Sequence, residues 1–175
     1  MRTRVAHFVG AVALAAGLLT GAPSAAVAEP AATGAVALYE GQRINLLKDG
    51  WRGAHTCVVT TAQDVDCYGT RGEADAALGH DGSAGTKALP DCARGWLCIF
   101  EHANGGGRRL IFNDEQWHDL DQYGFANRAS SWRNNQSRGD SGGLQMGNGQ
   151  QIWLGAPEYS ANLGSYNDRA RWVHG

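Results

Sequence analysis

Residues 92–132 read CARGWLCIFEHANGGGRRLIFNDEQWHDLDQYGFANRASSW, and this stretch decides the fold of the chain. The side chains of residues 96–101 divide into two alternating sets, Trp96, Cys98 and Phe100 in one and Leu97, Ile99 and Glu101 in the other, and this alternation predicts a short β-strand. Three successive glycines at residues 105–107 tolerate the positive φ angles that a tight hairpin turn needs. The run RLIF at residues 109–112 predicts the returning strand, and the chain then continues through a polar segment to Trp132.

A second stretch, IWLGAPEYSANLGSYNDRARWV at residues 152–173, repeats this organisation in weaker form. Each copy has a strand, a turn that ends in a small residue, and an Asn/Asp-x-Ala segment beside an aromatic residue. Residues 125–132 align with residues 166–173 in this way. The repeat predicts a duplicated four-strand motif, and therefore two small sheets that face each other.

Two short motifs in these copies resemble a known signature. Residues 100–107 begin with Phe100 and end with Gly107, and so resemble the first Greek-key signature of the βγ-crystallins, an aromatic residue followed later by glycine. Residues 154–161 resemble a degraded second copy, with Tyr159 in the internal aromatic place. The resemblance implies a mostly β fold, a two-motif Greek-key βγ-crystallin-like sandwich.

The opening of residues 92–132 resembles a narrower family. Cys92 and Cys98, with five residues between them, and the run through Ser131 resemble the family of the Streptomyces metalloproteinase inhibitor. That family is small, secreted and βγ-crystallin-like, and the resemblance covers about residues 91–175. It implies a secreted peptidase inhibitor that acts on an extracellular metalloprotease. We also expect that the chain is not an enzyme, because its sequence contains no complete arrangement of nucleophile, base and oxyanion-binding groups.

The residues of an inhibitory loop cannot be assigned in this chain from the loop of that family. In the founding inhibitor a second close cysteine pair holds the reactive loop in the later half of the domain, whereas this chain has no cysteine after Cys98. The loop therefore stays unassigned, with two candidates: the polar, glycine-rich connection at residues 133–151 and the turn at residues 60–64. The alternative function is a non-inhibitory βγ-crystallin-like protein with a structural or calcium-binding role outside the cell.

The first residues have the pattern of a secretory signal peptide. Arg2 and Arg4 form a basic start, residues 5–19 are apolar, and a small-residue cleavage site follows. We expect residues 1–28 to be removed by cleavage after Ala28, and the mature protein to be secreted and extracellular. The alternative is a membrane anchor, but the apolar run is short for a span and no later run is long enough.

Composition limits the partners of the chain. It carries 15 Lys and Arg against 17 Asp and Glu, a formal net charge of −2, and loss of two arginines with the leader makes the charge more negative. A protein of this charge does not attract nucleic acid or an anionic membrane. We therefore expect no nucleic-acid or membrane partner. The family resemblance implies a secreted protease as the partner, and we expect the chain itself to be a monomer.

All four cysteines follow the leader, and an even number in a secreted chain implies disulfides. Three pairings are possible. We favour Cys57–Cys67 and Cys92–Cys98, because the members of each pair are close in sequence and flank a turn. The spacings do not match common zinc sites, so we do not expect zinc.

The region before the crystallin-like domain is predicted to form a small α+β subdomain at residues 29–79. Two hairpins come first, and the segment from Thr70 to Glu73 has the form of a capping box that begins a short helix. The Gly, Ser and Pro content of residues 80–90 predicts a linker. The crystallin-like domain then occupies residues 91–175.

Two segments carry parts of a calcium motif by the same resemblance. Calcium-binding βγ-crystallins have two Asn/Asp residues, two variable residues, then Ser/Thr and Ser, and calcium needs six or more oxygen ligands. Each copy here is half lost, because Ala126 replaces one Asn/Asp and Arg171 and Trp172 replace both hydroxyls. The residues kept are Asn127, Ser130 and Ser131 in the first copy and Asn167 and Asp168 in the second. The alternative, which we favour, is that these side chains bond the backbone and hold the loops, so that no cofactor is required.

Two patterns are typical of enzymes, and neither is complete. GDSGG at residues 139–143 surrounds the nucleophile of trypsin-like serine proteases, but too few residues separate His55 from Ser141 for the two barrels that hold such a triad. We expect a glycine-rich loop there instead.

The second pattern is an acidic run that would suit a glycosidase. It consists of Asp114, Glu115, Asp119 and Asp121. These carboxylates lie in a polar connection with no sugar platform beyond Trp117, so we expect a solvated loop. The other tryptophans considered, Trp96, Trp132, Trp153 and Trp172, are predicted to lie in the core of the two half-units.

Overall fold

The computed structural model describes residues 33–80 and 91–175. The predicted signal peptide at residues 1–28, and the predicted linker except for its first residue, lie outside the described residues. Within the described part the chain forms twelve β-strands, one α-helix and three short 3₁₀ turns. No helix of that part is long and apolar enough to cross a membrane.

The strands are β1 Val36–Tyr39, β2 Gln42–Asn45, β3 Thr56–Thr61, β4 Asp64–Tyr68, β5 Leu97–His102, β6 Gly106–Phe112, β7 Trp117–Asp119, β8 Ser131–Asn134, β9 Ser141–Met146, β10 Gln151–Gly155, β11 Glu158–Ser160 and β12 Ala170–His174. The helix α1, Arg71–Ala77, lies between β4 and β5. The 3₁₀ turns are Ala103–Gly105, Leu120–Tyr123 and Gly164–Tyr166.

These strands form two sheets with a shared core. Sheet A has eight strands in the order β11-β8-β5-β6-β3-β4-β1-β2, and sheet B has four in the order β10-β9-β12-β7. Neighbouring strands are antiparallel except in the pairs β1/β4 and β3/β6, which are parallel. Apolar side chains of both sheets meet between them. The core includes Leu97, Ile99, Leu110 and Phe112 from sheet A and Leu144, Leu154 and Val173 from sheet B.

The strand order contains two interlocked motifs. The first motif is β5–β8 and the second is β9–β12, and each places its third strand in the other motif's sheet. Thus β7 pairs with β12 at Asp119 and Trp172, while β11 pairs with β8 at Tyr159 and Arg133. Each sheet therefore contains strands of both motifs, and the predicted mostly β, two-motif Greek-key sandwich is confirmed.

The four N-terminal strands extend sheet A instead of forming a sheet of their own. β3 lies parallel to β6, with Cys57 opposite Leu110. All the described residues belong to one compact unit. Sheet A thus contains strands from both predicted regions, residues 29–79 and residues 91–175.

The helix α1 covers the outer face of sheet A. It begins at the predicted capping box, in which the Thr70 hydroxyl accepts from the Glu73 N–H and the Glu73 carboxylate accepts from the Thr70 N–H. Ala74 of the helix belongs to a second apolar cluster. Its other buried members are Val58, Cys92, Cys98, Phe100 and Ile111. The central strands of sheet A are therefore buried on both faces, which explains why residues 97–100 are all apolar.

Both predicted disulfides are present. Cys57 and Cys67 are register partners across the β3–β4 pair, with Cα atoms 4.0 Å apart. Cys92 and Cys98 join the segment before β5 to the strand itself, with Cα atoms 5.7 Å apart. Each bridge closes a short loop and is expected to contribute about 2–3 kcal/mol by restricting the unfolded chain.

The loop predicted at residues 133–151 is wrong, because β9 lies in the middle of it. The glycines there are required by packing. A Cβ on Gly142 would lie 2.6 Å from Cδ2 of Leu97, and a Cβ on Gly143 would lie 3.0 Å from Cη2 of Trp117. Close packing against large neighbours therefore accounts for the last two glycines of the GDSGG sequence.

The predicted second Greek-key signature lies one strand later than the hairpin that opens the second motif. Residues 154–161 cover the end of β10 and all of β11. The hairpin that opens the second motif is β9–β10, with Ser141 opposite Gly155. The strand β9 was missed because its glycines, which the packing requires, are also the residues that favour loops.

His118 lies in a buried chain of hydrogen bonds at strand β7. Its Nε2 is 2.7 Å from a carboxylate oxygen of Asp114, and its Nδ1 is 2.9 Å from the hydroxyl of Tyr123. Burial raises the pKa of the Tyr123 phenol, which therefore stays neutral. The Tyr123 carbonyl accepts a 2.7 Å bond from the Trp51 indole, so the chain of bonds reaches the N-terminal segment.

Replacing Tyr123 with phenylalanine is expected to lower the free energy of unfolding by about 1–3 kcal/mol, because buried His118 loses a partner. Urea unfolding followed by tryptophan fluorescence measures this change. Tyr159, which is 43% exposed, supplies the control. Y159F should change the free energy by less than about 0.5 kcal/mol. Equal effects of Y123F and Y159F would contradict the stabilising role of the buried hydrogen bonds.

Candidate functional site

The hairpin β3–β4 presents its tip to solvent. All five residues of the predicted turn, residues 60–64, are exposed. Below the tip Val59 and Val65 are buried, and the disulfide between Cys57 and Cys67 closes the base. An exposed tip therefore stands on a buried and covalently closed base.

Neighbouring strands hold this hairpin from both sides. β3 pairs with β6, and β4 pairs with β1. Within the tip, the Thr61 hydroxyl accepts a 3.3 Å bond from the N–H of Gln63. A loop held in this way has little conformational freedom to lose when it binds a partner.

The other candidate loop is shorter than predicted. Outside the strands, its exposed residues are 137–140 and the β9–β10 turn at 147–150. The first of these segments is braced, since the Asp140 N–H donates to the Ser137 carbonyl and the Ala156 N–H donates to the Asp140 carbonyl, both at 3.0 Å. Of the two candidates, only the β3–β4 hairpin is closed by a disulfide.

The two Asn/Asp segments have matching geometry. Asn127 and Asp168 both have left-handed backbone, with φ angles of 56° and 55°. The N–H of Asn127 donates to the Ala170 carbonyl at 2.8 Å, and the N–H of Asp168 donates to the Ala129 carbonyl at 3.0 Å. These reciprocal bonds agree with the predicted alignment of the two copies.

The side chains of the predicted calcium set bond to protein groups. The Ser131 hydroxyl accepts a 3.0 Å bond from the Ala103–Gly105 turn and donates at 2.7 Å to the carbonyl before that turn. The Ser130 hydroxyl donates to one oxygen of Asp168 at 3.2 Å, and the Asn167 amide donates to the other at 2.9 Å. Most of the side-chain oxygens that calcium would need are therefore already in use.

A cleft of about 280 Å³ beside these segments is lined by Glu101, His102, Asn127, Arg128 and Asp168. Arg108 holds both oxygens of the Glu101 carboxylate, at 2.9 and 2.7 Å, and Arg128 lies 3.3 Å from one of them. Hydrogen bonds from Arg108 lower the pKa of Glu101 to about 2. Because guanidinium groups already neutralise the Glu101 carboxylate in this cleft, the residues present do not fit calcium.

Calcium is therefore expected to leave the thermal stability unchanged. A site whose dissociation constant is about 100-fold below the calcium concentration would add about 2.7 kcal/mol to the free energy of unfolding. Thermal unfolding of the oxidised full-length protein in calcium chloride and in EDTA should give the same midpoint. A higher midpoint in calcium would show that the cleft binds the ion despite its arginines.

The low pKa of Glu101 predicts a loss of stability in acid. The ordinary value is 4.5, so the stability gained from this carboxylate is complete above about pH 4.5 and disappears as the pH falls toward 2. The cost of replacing Arg108 with alanine should therefore shrink as the pH falls through this window. Urea unfolding at a series of pH values measures that cost. A constant cost would mean that Arg108 acts by packing 4.7 Å above the Trp51 ring instead.

The tryptophans divide between core and surface. Trp132 is buried, as predicted, and Trp96 and Trp172 are half-buried. The core position predicted for Trp153 is wrong, since this side chain is 59% exposed on β10. The alternation of side chains along β10 indicates this exposure, because Trp153 lies on the same face as the exposed Gln151 and on the opposite face from the buried Leu154.

The structure does not bring the residues of the protease-like pattern together, and the acidic residues of the glycosidase-like pattern bond to neighbouring protein groups. His55 precedes β3 of sheet A, whereas Ser141 begins β9 of sheet B. In the acidic run, Asp114 bonds His118, and Asp119 accepts a 2.9 Å bond from the Asp121 N–H. Across residues 33–80 and 91–175, no group of three or more His, Cys, Asp and Glu side chains is placed to hold a metal.

Comparison with known proteins finds a family match for part of the chain. The sequence model of peptidase inhibitor family I36 matches residues 85–140, a range that contains β5 to β8. The predicted family resemblance is confirmed over that range, and the family is one of peptidase inhibitors, not of enzymes. No curated protein matches the chain.

Two solved structures are similar to part of the chain. One comes from work on the evolution of the eye lens βγ-crystallin domain fold; it is 19% identical, has a TM-score of 0.41, and the match covers 51% of this chain and 91% of that one. The other is the N-terminal domain of protein S, at 15% identity and a TM-score of 0.36, with 45% and 92% of the two chains covered.

Proposed function

We propose that this chain, whose residues 85–140 match a peptidase inhibitor family, is a secreted inhibitor that contacts an extracellular protease with the β3–β4 hairpin tip. One observation carries the proposal: the tip at residues 60–64 is exposed on all five residues and stands on a disulfide-closed base. A protease inhibitor needs such a loop, because a rigid loop binds with little loss of entropy and resists the distortion that cleavage requires.

The family match supports this choice of loop through the sheet. β6 lies inside residues 85–140, and its residues from Arg109 to Phe112 pair with β3 from Thr56 to Val59. The matched motif thus forms the support on which the hairpin stands. The hairpin continues that sheet outward to the exposed tip.

The tip has the chemistry of a segment that can enter a cleft. Its central residues, Thr61, Ala62 and Gln63, are small or unbranched and uncharged. If a protease cut the tip, the Cys57–Cys67 disulfide and the flanking strands would hold both new ends in place. Products that cannot separate leave the cleft slowly, so the complex persists.

Secretion is part of the same proposal. The predicted signal peptide directs export, and the two disulfides suit an oxidising compartment. The bridge that closes the hairpin base would form outside the cytoplasm, where the target proteases are. A metalloprotease target follows from the family resemblance alone.

The test is a titration of the oxidised full-length protein into a thermolysin-like metalloprotease and a subtilisin-like serine protease. We expect stoichiometric loss of metalloprotease activity. Replacing Ala62 with tryptophan should weaken inhibition at least about tenfold, because the bulky ring disturbs the centre of the contact. The matched control is N148W, at the exposed tip of the β9–β10 hairpin, which should inhibit like the parent.

The outcomes separate the function from the loop. No inhibition of either protease would contradict the inhibitor proposal and leave the non-inhibitory crystallin-like alternative. Inhibition that A62W does not weaken would keep the function and reject the hairpin tip as the contact. Inhibition lost equally in A62W and N148W would show that the loss is not specific to the β3–β4 tip, and would contradict its assignment as the contact.

A further inference from the structure

A row of side chains crosses the outer face of sheet B, and the proposed inhibitor loop does not involve it. The row consists of Trp153 on β10, Gly143 on β9, His174 on β12 and Trp117 on β7, which are successive register partners. Trp153 is 59% exposed and Trp117 is 39% exposed. We name these four residues the aromatic row.

The rings of the aromatic row contact one another above Gly143. The Trp117 and Trp153 centroids are 6.1 Å apart, and they lie 5.3 Å and 6.2 Å from the centroid of His174. A Cβ on Gly143 would lie 3.0 Å from the Trp117 ring and 3.3 Å from the Trp153 ring. Glycine thus lets two tryptophans from opposite edges of the sheet meet.

The next row on the same face supplies hydrogen-bonding groups. It consists of the register partners Gln151, Gln145, Trp172 and Asp119. The Gln151 amide donates to the Gln145 side-chain oxygen at 3.2 Å, so the two amides are oriented by each other. The Arg171 guanidinium lies 5.6 Å from the centroid of the Trp172 ring. With one acid and one base, this part of the face is close to neutral.

Core packing does not explain the aromatic row. The core side of sheet B is already filled by the inward-facing residues, among them Leu144, Leu154 and Val173. Exposed aromatic side chains in mutual contact, bordered by polar groups, mark a binding surface. Tryptophan suits such a surface because its large rigid ring loses little entropy on contact with a ligand.

We propose that this face of sheet B binds a neutral oligosaccharide of β-1,4-linked sugars with equatorial hydroxyls. The ring faces of these sugars are apolar C–H surfaces that can stack on Trp153 or on Trp117. Their edges carry hydroxyls that the amides of Gln145 and Gln151 and the carboxylate of Asp119 can bond. The near-neutral face matches an uncharged ligand, whereas a nucleic acid or an anionic lipid would require clustered cations.

The ring geometry selects a single soluble chain as the ligand. The planes of Trp117 and Trp153 are inclined at 62°, so the rings form a corner and not a flat platform. One sugar chain can stack on one ring while its edge contacts the other. A flat crystalline polysaccharide surface could lie against only one of the rings.

The test uses the full-length oxidised protein with two uncharged ligands, cellohexaose and the fully N-acetylated chitohexaose. Isothermal titration calorimetry measures the affinity, and NMR follows the indole N–H signals. We expect at least one sugar to bind, with W153A and W117A each weakening binding at least about tenfold. The control is Y159A, since Tyr159 is 43% exposed but lies on β11 of sheet A and should leave binding unchanged.

The proposal is overturned if neither hexasaccharide binds at millimolar concentration. It is also overturned if W153A and W117A bind as tightly as the parent, or if Y159A weakens binding as much as they do. Melting curves confirm that each variant is folded. Protease inhibition should be unchanged in W153A, because this face and the hairpin tip lie on different sheets. Loss of sugar binding and loss of inhibition are therefore distinguishable results.

Discussion

Replacing Asp75 with alanine is expected to lower the free energy of unfolding by about 3–5 kcal/mol. The Asp75 carboxylate lies 2.7 Å from the Arg109 guanidinium, whose side chain is only 1% exposed. The variant would leave a buried cation without its counter-charge. The other guanidinium contacts, to the carbonyls of Arg71 and Asp91, are longer, at 3.3 Å, and carry no full charge.

This ion pair joins α1 to the centre of sheet A. Asp75 is on the helix and Arg109 is on β6, the strand that also supports β3. Without the pair, the helix keeps its apolar contact through Ala74 and the contacts of Arg71, whose guanidinium donates to the Gly107 carbonyl at 2.7 Å and lies 5.4 Å from the centroid of the Phe100 ring. We expect the packing of the helix on the central strands to be weakened first, since Ala74 lies in one cluster with Val58, Phe100 and Ile111.

Urea unfolding of D75A measures the loss, and D66A is its matched control. Asp66 is exposed on β4, so its removal should change the free energy by less than about 0.5 kcal/mol. Replacing both members of the pair, as D75L/R109M, should recover much of the loss, because no unpaired charge remains. A loss in D75A no larger than in D66A would contradict the role assigned to the pair.

Removing the disulfide at the hairpin base, by C57S/C67S, is expected to cost stability and inhibition together. The entropy of the unfolded chain alone predicts a loss of about 2–3 kcal/mol. Inhibition should weaken more than tenfold, because the tip at residues 60–64 would lose the closure that keeps it rigid. Denaturant unfolding gives the first quantity, and protease titration below the melting temperature gives the second.

The second disulfide provides the control for this experiment. C92S/C98S removes a bridge of similar loop size that lies before and within β5, away from the hairpin tip. It should lower stability by a comparable amount and leave inhibition intact. If C57S/C67S still inhibits like the parent while folded, the disulfide-held tip is not the contact with the protease. If both variants lose inhibition equally, stability alone is responsible.

The features that could be predicted from the sequence depend on residues close to one another along the chain. Each of these features is contained in a short segment of the sequence. They are the Thr70 to Glu73 capping box, the glycine turn before β6 and the two cysteine pairs, of which the longer, Cys57 and Cys67, has a sequence separation of 10. Local geometry suffices for such features. The duplication was visible for a related reason: the Asn127 and Asp168 turns repeat one local sequence pattern.

The pairings between segments that are distant in the sequence were decided by the tertiary structure alone. Three contacts bring together residues that no local sequence pattern relates. They are the parallel pairing of β3 with β6, the exchange of β7 and β11 between the two sheets, and the ion pair of Asp75 with Arg109. Gly142 and Gly143 predicted a loop from the sequence. In the structure they lie in a strand, because large side chains of other strands occupy the space that their own side chains would need. The exposure of Trp153 likewise depends on which face of sheet B is covered. Hydrophobic patterning tells which residues can be buried, but the partner strands decide which face is buried and what lies against it.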